Sequence, residues 1–266
     1  MWLSSFLRWF FGPLIGFGFA GIVFLTSIFG NYIVTLFLPM ITVFNLHREW
    51  REKMDRAITF WMVIPLFFLH YVYGVKVRTS GDRIEYDQPA VVIMNHRTRL
   101  DWLYFWLALW RINPWLMTSN KIALKELLKH VPGAENYIRY IYDVTVAYPA
   151  EIVQNETDMI LKGRLSRNVH YHIRKYDISD LPSDEDGLSR WLLSVWTEKE
   201  KRLEQFYAQK AKGKRKFDAD GEMNIWCGLY FLLLNYFYIY ARYGGIDSLI
   251  YTRYEQWANS KRSFVV

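Results

Sequence analysis

Read from the N-terminus, the chain alternates long apolar stretches with segments whose polarity repeats at strand or helix period. Residues 9–40, WFFGPLIGFGFAGIVFLTSIFGNYIVTLFLPM, hold no charged side chain. An uncharged helix of about 30 residues is long enough to cross a bilayer with tilt. A cleaved signal peptide has a shorter apolar core and a small-residue cleavage site, so the pattern predicts a retained anchor. Gly16, Gly18 and Gly21 offer places where another helix could approach closely. Residues 47–56, HREWREKMDR, read as a basic loop, which argues for a cytosolic position. Residues 57–74, AITFWMVIPLFFLHYVYG, are again apolar, and Pro65 should kink them. This second segment either spans with a bend or re-enters the membrane. The choice decides the side on which the remaining chain lies.

After residue 75 the pattern becomes that of an α/β domain. KVRTSGDRIEYDQ, residues 76–88, reads as a short strand and polar turn. PAVVIMN, residues 89–95, is a continuous apolar run of strand length, β-branched at Val91, Val92 and Ile93. Such runs mark strands buried on both faces. DWLYFWLALWRI, residues 101–112, is helix-like and aromatic. MTSNKIALKELLKHVPG, residues 117–133, reads as a helix capped by Ser119 or Asn120, with apolar Ile122, Leu124, Leu127, Leu128 and Val131, and stopped by Pro132 and Gly133. Two further strands are predicted at 143–149, DVTVAYP, and 168–176, NVHYHIRKY. Residues 183–208 form an amphipathic helix with acids in its first turn. A basic linker follows, and residues 223–241 read as a last membrane helix edged with Tyr and Trp. The expected organisation is a membrane anchor over 1–75, an α/β domain over 76–208, and a linker, membrane helix and polar tail over 209–266. The fold class is α/β, with a small, incomplete mixed sheet covered by helices between N- and C-terminal transmembrane helices.

Composition sharpens this picture. Aromatic residues make up 18% of the 266 positions, with 12 Trp, which suits an apolar–aqueous boundary. The net charge of +7 calls for an anionic partner, and the apolar segments favour a membrane surface over nucleic acid. No RNA-binding motif accompanies the charge. The single cysteine, Cys227, excludes an intrachain disulfide.

One heptapeptide carries chemistry. Asn95, His96, Arg97, Thr98, Arg99, Leu100 and Asp101 follow the predicted strand directly, in the pattern N-H-x-x-x-x-D. A loop closing back on itself lets Asp101 accept the Nδ1 proton of His96. That fixes the tautomer and leaves Nε2 free to take a proton, a His–Asp couple whose nucleophile is a hydroxyl of the substrate. Arg97 and Arg99 supply positive charge for a phosphate or a developing oxyanion. A lone His five residues before an Asp is otherwise an ordinary surface histidine. The strand exit, the arginines and the aromatic helix behind raise the signal here. A hydrolase with the same pair needs a Ser or Cys nucleophile, and no Gly-x-Ser-x-Gly elbow occurs.

NHRTRLDW resembles the first motif of the glycerolipid acyltransferase family, the lysophosphatidate acyltransferase group, and most of all its lysocardiolipin acyltransferase-like branch. KIALKELLKHVPG, DVTVAYP and the stretch from HYHIRKYDISDLP to WLLSVWTEKEKRLEQFY resemble later segments, so the likeness covers most of residues 91–207. The resemblance implies that His96 is the general base, oriented by Asp101. It deprotonates the free hydroxyl of a lysophospholipid or lysophosphatidate, which attacks the thioester of acyl-CoA. Substrate contacts then fall to Asn95, Arg97, Arg99 and Lys121. Thioester attack needs no metal, so the expected partners are acyl-CoA as co-substrate, a lysophospholipid and a membrane, and no cofactor. The implied location is the endoplasmic reticulum membrane, with a multi-pass topology.

The family's Glu-Gly-Thr block is missing: no such triplet occurs in the chain. Between Gly133 and Asp143 there is room for about one short helix and no full βαβ unit. The chain therefore reads as a shortened acyltransferase. The alternative to an active enzyme is an impaired form that binds lipid or a partner. Other candidates are weaker. His170 and His172 alternate on one strand face with no third ligand at metal spacing, which favours packed or solvated histidines. Asn155, Glu156 and Thr157 match a glycosylation acceptor. Lys121, Lys125 and Lys129 form a basic helical stripe, and the basic linker at 210–216 reads as a juxtamembrane segment gripping anionic lipid.

Overall fold

The computed structural model describes residues 2–86, 88–113, 116–119 and 138–217. Helix α1 runs over Trp2–Phe37 and the short α2 over Pro39–Thr42. The stretch Phe10–Thr42, 33 residues with a mean hydropathy of 1.9, is long and apolar enough to cross a bilayer. Gly16 is where α1 is approached closely, since a Cβ there would lie 2.1 Å from the Ile160 carbonyl oxygen. Gly12, four residues earlier on the same face, meets Lys162 in the same way. Gly18 and Gly21 face open space, so the expected glycine approach holds for Gly16 and passes to Gly12.

Residues 47–56 are not a loop. They are the first half of α3, His47–Phe67, which continues unbroken into the second apolar segment. The long-chain residues Arg, Glu, Lys and Met in this stretch lose little rotamer freedom in a helix. After Pro65 the chain widens into one π-helical turn, Phe68–Val72, closed where the Tyr73 N–H donates to the Phe68 carbonyl at 3.0 Å. Met62, Val63, Leu66 and Leu69 are buried. The second apolar segment thus belongs to a packed helix. Among the described residues, α1–α2 is the one stretch long and apolar enough to span a membrane.

Among the described residues the sheet has four strands: β1 Lys76–Gly81, β2 Ala90–Met94, β3 Tyr140–Ala147 and β4 Asn168–Asp177. Their spatial order is β1-β4-β3-β2. β1 runs parallel to β4 and β2 parallel to β3, while the central β3–β4 pair is antiparallel. The mixed sheet expected from sequence is present. Among the described strands, however, β2 lies at the edge, and Val92 is exposed, which corrects its reading as a strand buried on both faces. β3 takes that role. Its residues 143, 145 and 147 face α7, Glu185–Ala208, through Lys199, Arg202 and Phe206. The alternate set ends at Tyr148, on the side of α4, Asp101–Ile112. Coverage on both faces is what the VTVA run encodes.

α7 opens on an Asp184 N-cap, whose carboxylate accepts the Gly187 N–H at 2.7 Å, and Glu185 and Asp186 occupy the first turn. The 209–217 segment is not a free linker. Gln209 exchanges two hydrogen bonds with the Lys216 backbone, at 2.7 and 3.1 Å. This folds the chain back, so that Phe217 packs on Phe206 and Ala147. Helices α5, Leu116–Ser119, and α6, Glu156–Lys162, and a single 3-10 turn over Ile178–Asp180 complete the described elements. Lys121, Lys125, Lys129, Cys227, most of the helix predicted over 117–133 and the one predicted over 223–241 lie outside the described residues.

Candidate active site

Parallel pairing of β2 and β3 puts Met94 and Ala147 at the same end of the sheet, the end where open α/β sheets hold ligands. Asn95 extends that pairing with its side chain. Its Nδ2 donates to the Val146 carbonyl at 3.1 Å and its Oδ1 accepts the Val146 N–H at 2.7 Å. The residue is buried, and both polar ends of its amide are engaged by backbone. Asn95 therefore anchors the loop to β3.

The loop then closes around the carboxylate of Asp101, which is 1% exposed at the first turn of α4. Asp101 Oδ2 lies 3.0 Å from His96 Nδ1 and accepts the backbone N–H groups of Arg97 at 2.5 Å and Thr98 at 2.9 Å. Oδ1 accepts the Thr98 hydroxyl at 2.9 Å and a short hydrogen bond from the Tyr148 phenol. The N-terminal turn of a helix also favours an acidic side chain. His96 presents the opposite situation. Its side chain is 68% exposed, so the imidazole is held at Nδ1 by a buried carboxylate while the rest of the ring faces outward.

Tyr148 does not stand out in the sequence, where it reads as part of a strand block. Burial, and then the neighbouring carboxylate, push its phenol well above the ordinary tyrosine range, so it stays a proton donor to Asp101. Tyr104 lies behind it at 5.9 Å between ring centroids. Its hydroxyl accepts the Ser166 N–H, and burial lifts it to about 12. The only advance signal for Tyr148 is a tyrosine just past a buried strand on the sheet's ligand-binding end.

Arg97 and Arg99 are both exposed at the rim. The Arg97 guanidinium lies over the Tyr207 ring of α7, 5.2 Å from its centroid. Arg99 is fixed through its backbone N–H, which donates to the Gln154 carbonyl at 3.2 Å. His170 and His172 are packed, against the rings of Phe206 and Phe217 respectively. Asn155 is an exposed residue directly before α6. Among the described residues no group of His, Cys, Asp and Glu is arranged to hold a metal.

Comparison with known proteins gives the family. Residues 76–161 match the family model described as Acyltransferase, and residues 159–227 match the one described as Acyltransferase C-terminus. Lysophosphatidylinositol acyltransferase 10 of Caenorhabditis elegans is 33% identical over 378 aligned positions, covering 94% of this chain and 95% of that protein. The chain belongs to the glycerolipid acyltransferase family. Lysocardiolipin acyltransferase 1 of Gallus gallus is 26% identical, over 78% of this chain and 76% of that protein. The crystal structure of the 1-acyl-sn-glycerophosphate acyltransferase PlsC from Thermotoga maritima superposes with a TM-score of 0.43 at 15% identity, covering 76% of this chain and 99% of that one. The 378 positions aligned with the nematode relative exceed the 266 residues of this acyltransferase, so that relative holds over a hundred residues with no counterpart here. A shorter chain than the relatives' is what the missing Glu-Gly-Thr block leads one to expect.

Proposed function

We propose that this acyltransferase moves a fatty acyl group from acyl-CoA to the free hydroxyl of a lysophospholipid, with His96 as general base and Asp101 as its orienting partner. The observation that carries the reading is the 3.0 Å contact between His96 Nδ1 and the buried Asp101 carboxylate, with the imidazole otherwise open to solvent. Nδ1–H donates to Asp101, so Nε2 carries the lone pair. It takes the proton of the acceptor hydroxyl as that oxygen attacks the thioester carbon. The C–O bond forms, and the tetrahedral intermediate collapses with cleavage of the C–S bond. The departing thiolate recovers the proton from Nε2, giving ester and free CoA. Asp101 keeps its charge throughout and stabilises the transient imidazolium. Arg97 and Arg99 stand at the rim as cations for the developing oxyanion or a substrate phosphate.

The length and apolarity of the α1–α2 stretch support a membrane anchor in this reading, and the endoplasmic reticulum is the membrane that the family resemblance implies. The catalytic reading is preferred to a purely binding role because every donor around Asp101 converges on holding one imidazole in one tautomer. The test is acyl transfer by the purified full chain in phospholipid nanodiscs. Labelled acyl-CoA is offered with lysophosphatidylinositol, a lysocardiolipin and lysophosphatidate in separate reactions. Turnover on at least one acceptor, reduced roughly a thousandfold or more in His96→Ala, is the expected outcome. Equal turnover in wild type and His96→Ala would overturn the assignment.

A further inference from the structure

The segment after α7 folds back, and its return brings a second guanidinium to the same tyrosine ring that Arg97 meets. Tyr207, on the last turn of α7, carries two cations: Arg97 lies 5.2 Å and Arg215 5.4 Å from the same ring centroid. The ring is fixed, because its hydroxyl accepts the Tyr148 N–H at 3.1 Å. Tyr148 in turn donates its own hydroxyl to Asp101. The ring that both arginines meet is thus one tyrosine away from the carboxylate that holds His96. Arg215 is pinned as well, its Nε donating to the Gln209 carbonyl at 2.9 Å. Gln209 is the residue that folds 209–217 back on itself.

Two guanidinium groups on one ring repel each other, and a ring quadrupole offsets that repulsion only in part. An anion with several oxygens between them removes it, and the forked donors of arginine match phosphate geometry. Lys212, Lys214 and Lys216 are exposed on the same turn and add long-range attraction for an anion.

We propose that Arg97 and Arg215, held on Tyr207, form the seat for a substrate phosphate next to His96. The proposal rests on the acyl-transfer reading for which substrate is meant, but the seat itself is a phosphate site whether or not the chain turns over. The lipid phosphate and the phosphates of CoA are two sources of the same chemistry.

Two measurements test it on the full chain in nanodiscs. The first is calorimetric titration with inorganic phosphate, independent of activity. Saturable binding that weakens about tenfold in Arg215→Gln and in Arg97→Gln, but not in Lys212→Gln, is expected for the loss of a charged hydrogen-bonding partner at a half-exposed site. Arg215→Lys, which keeps charge without the fork and guards against a folding artefact, should lie between. Equal phosphate affinity in wild type and Arg215→Gln overturns the seat. The second measurement is steady-state kinetics. A roughly tenfold rise in KM for the lysophospholipid in Arg215→Gln assigns the seat to the lipid phosphate. The same rise confined to acyl-CoA assigns it to the donor. No rise in either overturns its role in substrate binding. If His96→Ala retains turnover while phosphate binding still depends on Arg215, the catalytic reading fails and the seat stands.

Discussion

Replacing Asp101 by asparagine separates what the carboxylate does as an acceptor from what it does as a charge. Oδ2 takes three N–H groups, from His96, Arg97 and Thr98, and Oδ1 takes two hydroxyls, from Thr98 and Tyr148. Backbone N–H groups cannot reverse, but hydroxyls can rotate to accept. In Asp101→Asn the amide oxygen therefore takes the Oδ2 position, and the amide NH2 faces the two hydroxyls. His96 keeps the same tautomer and the loop keeps its shape. What disappears is a negative charge 3.0 Å from the imidazole that the proposed mechanism protonates during transfer. Coulomb's law at that separation gives about 1.4 kcal/mol at bulk-water dielectric and about 5.5 kcal/mol at an effective dielectric of about 20. With His96 largely in solvent, screening puts the loss at about 2 to 3 kcal/mol, or about 30- to 150-fold in kcat. Asp101→Ala strands three N–H donors and two hydroxyls and should lose about 3 kcal/mol of stability besides activity. The assay pairs initial acyl-transfer rates with thermal unfolding of the detergent-solubilised chain. Full kcat in Asp101→Asn would show that the charge is unused. Unfolding of Asp101→Asn as severe as that of Asp101→Ala would refute the rotation of the two hydroxyls.

Three further outcomes follow from the packing. Lys199 is 1% exposed, sits 2.6 Å from the equally buried Asp143, and donates to the Val144 and Ile93 carbonyls at 3.0 and 3.3 Å. Lys199→Met leaves that carboxylate facing Arg202 at 3.7 Å and should cost about 3 kcal/mol in urea denaturation, with Lys199→Met/Asp143→Asn recovering part of it. Burial, with Arg202 next, holds His172 down at about 4, below its unfolded 6.5. The unfolded chain then binds more protons between those values, so stability falls as pH drops from about 6.5 to 4, by up to about 3 kcal/mol; His172→Gln should flatten the pH dependence of the unfolding midpoint, and an unchanged slope would show that the ring is not the group that titrates. Gly16→Leu should loosen α1 from α6, because its Cβ has no room beside the Ile160 carbonyl oxygen, while Gly18→Leu should be silent, as nothing lies within 4 Å; limited proteolysis of the two variants compares them directly.

The parts of the molecule legible in the sequence are those fixed by local chemistry. The heptapeptide 95–101 contains its own donors and acceptor, so its closure needs no knowledge of the fold. The acids opening α7 and the β-branched run of β2 are local too. What escapes is long-range. Whether an apolar run such as 90–94 lies in the middle or at the edge of a sheet depends on which strands pair, and the register of β3 with β4 decides it. The charged stretch 47–56 looks like a loop because it separates two apolar segments, yet it shares a helix with the second. Tyr148 and Arg215 are the instructive cases. Neither stands out by composition, and they lie 47 and 114 positions beyond Asp101. Tyr148 reaches the carboxylate because β3 is parallel to β2 and ends beside it. Arg215 comes within one tyrosine of that phenol only because Gln209 bends the chain back after α7. If that bend were an incidental turn, Gln209→Ala would leave substrate KM untouched. If it holds Arg215 over Tyr207, the same substitution should raise KM in parallel with Arg215→Gln, from a residue that carries no charge.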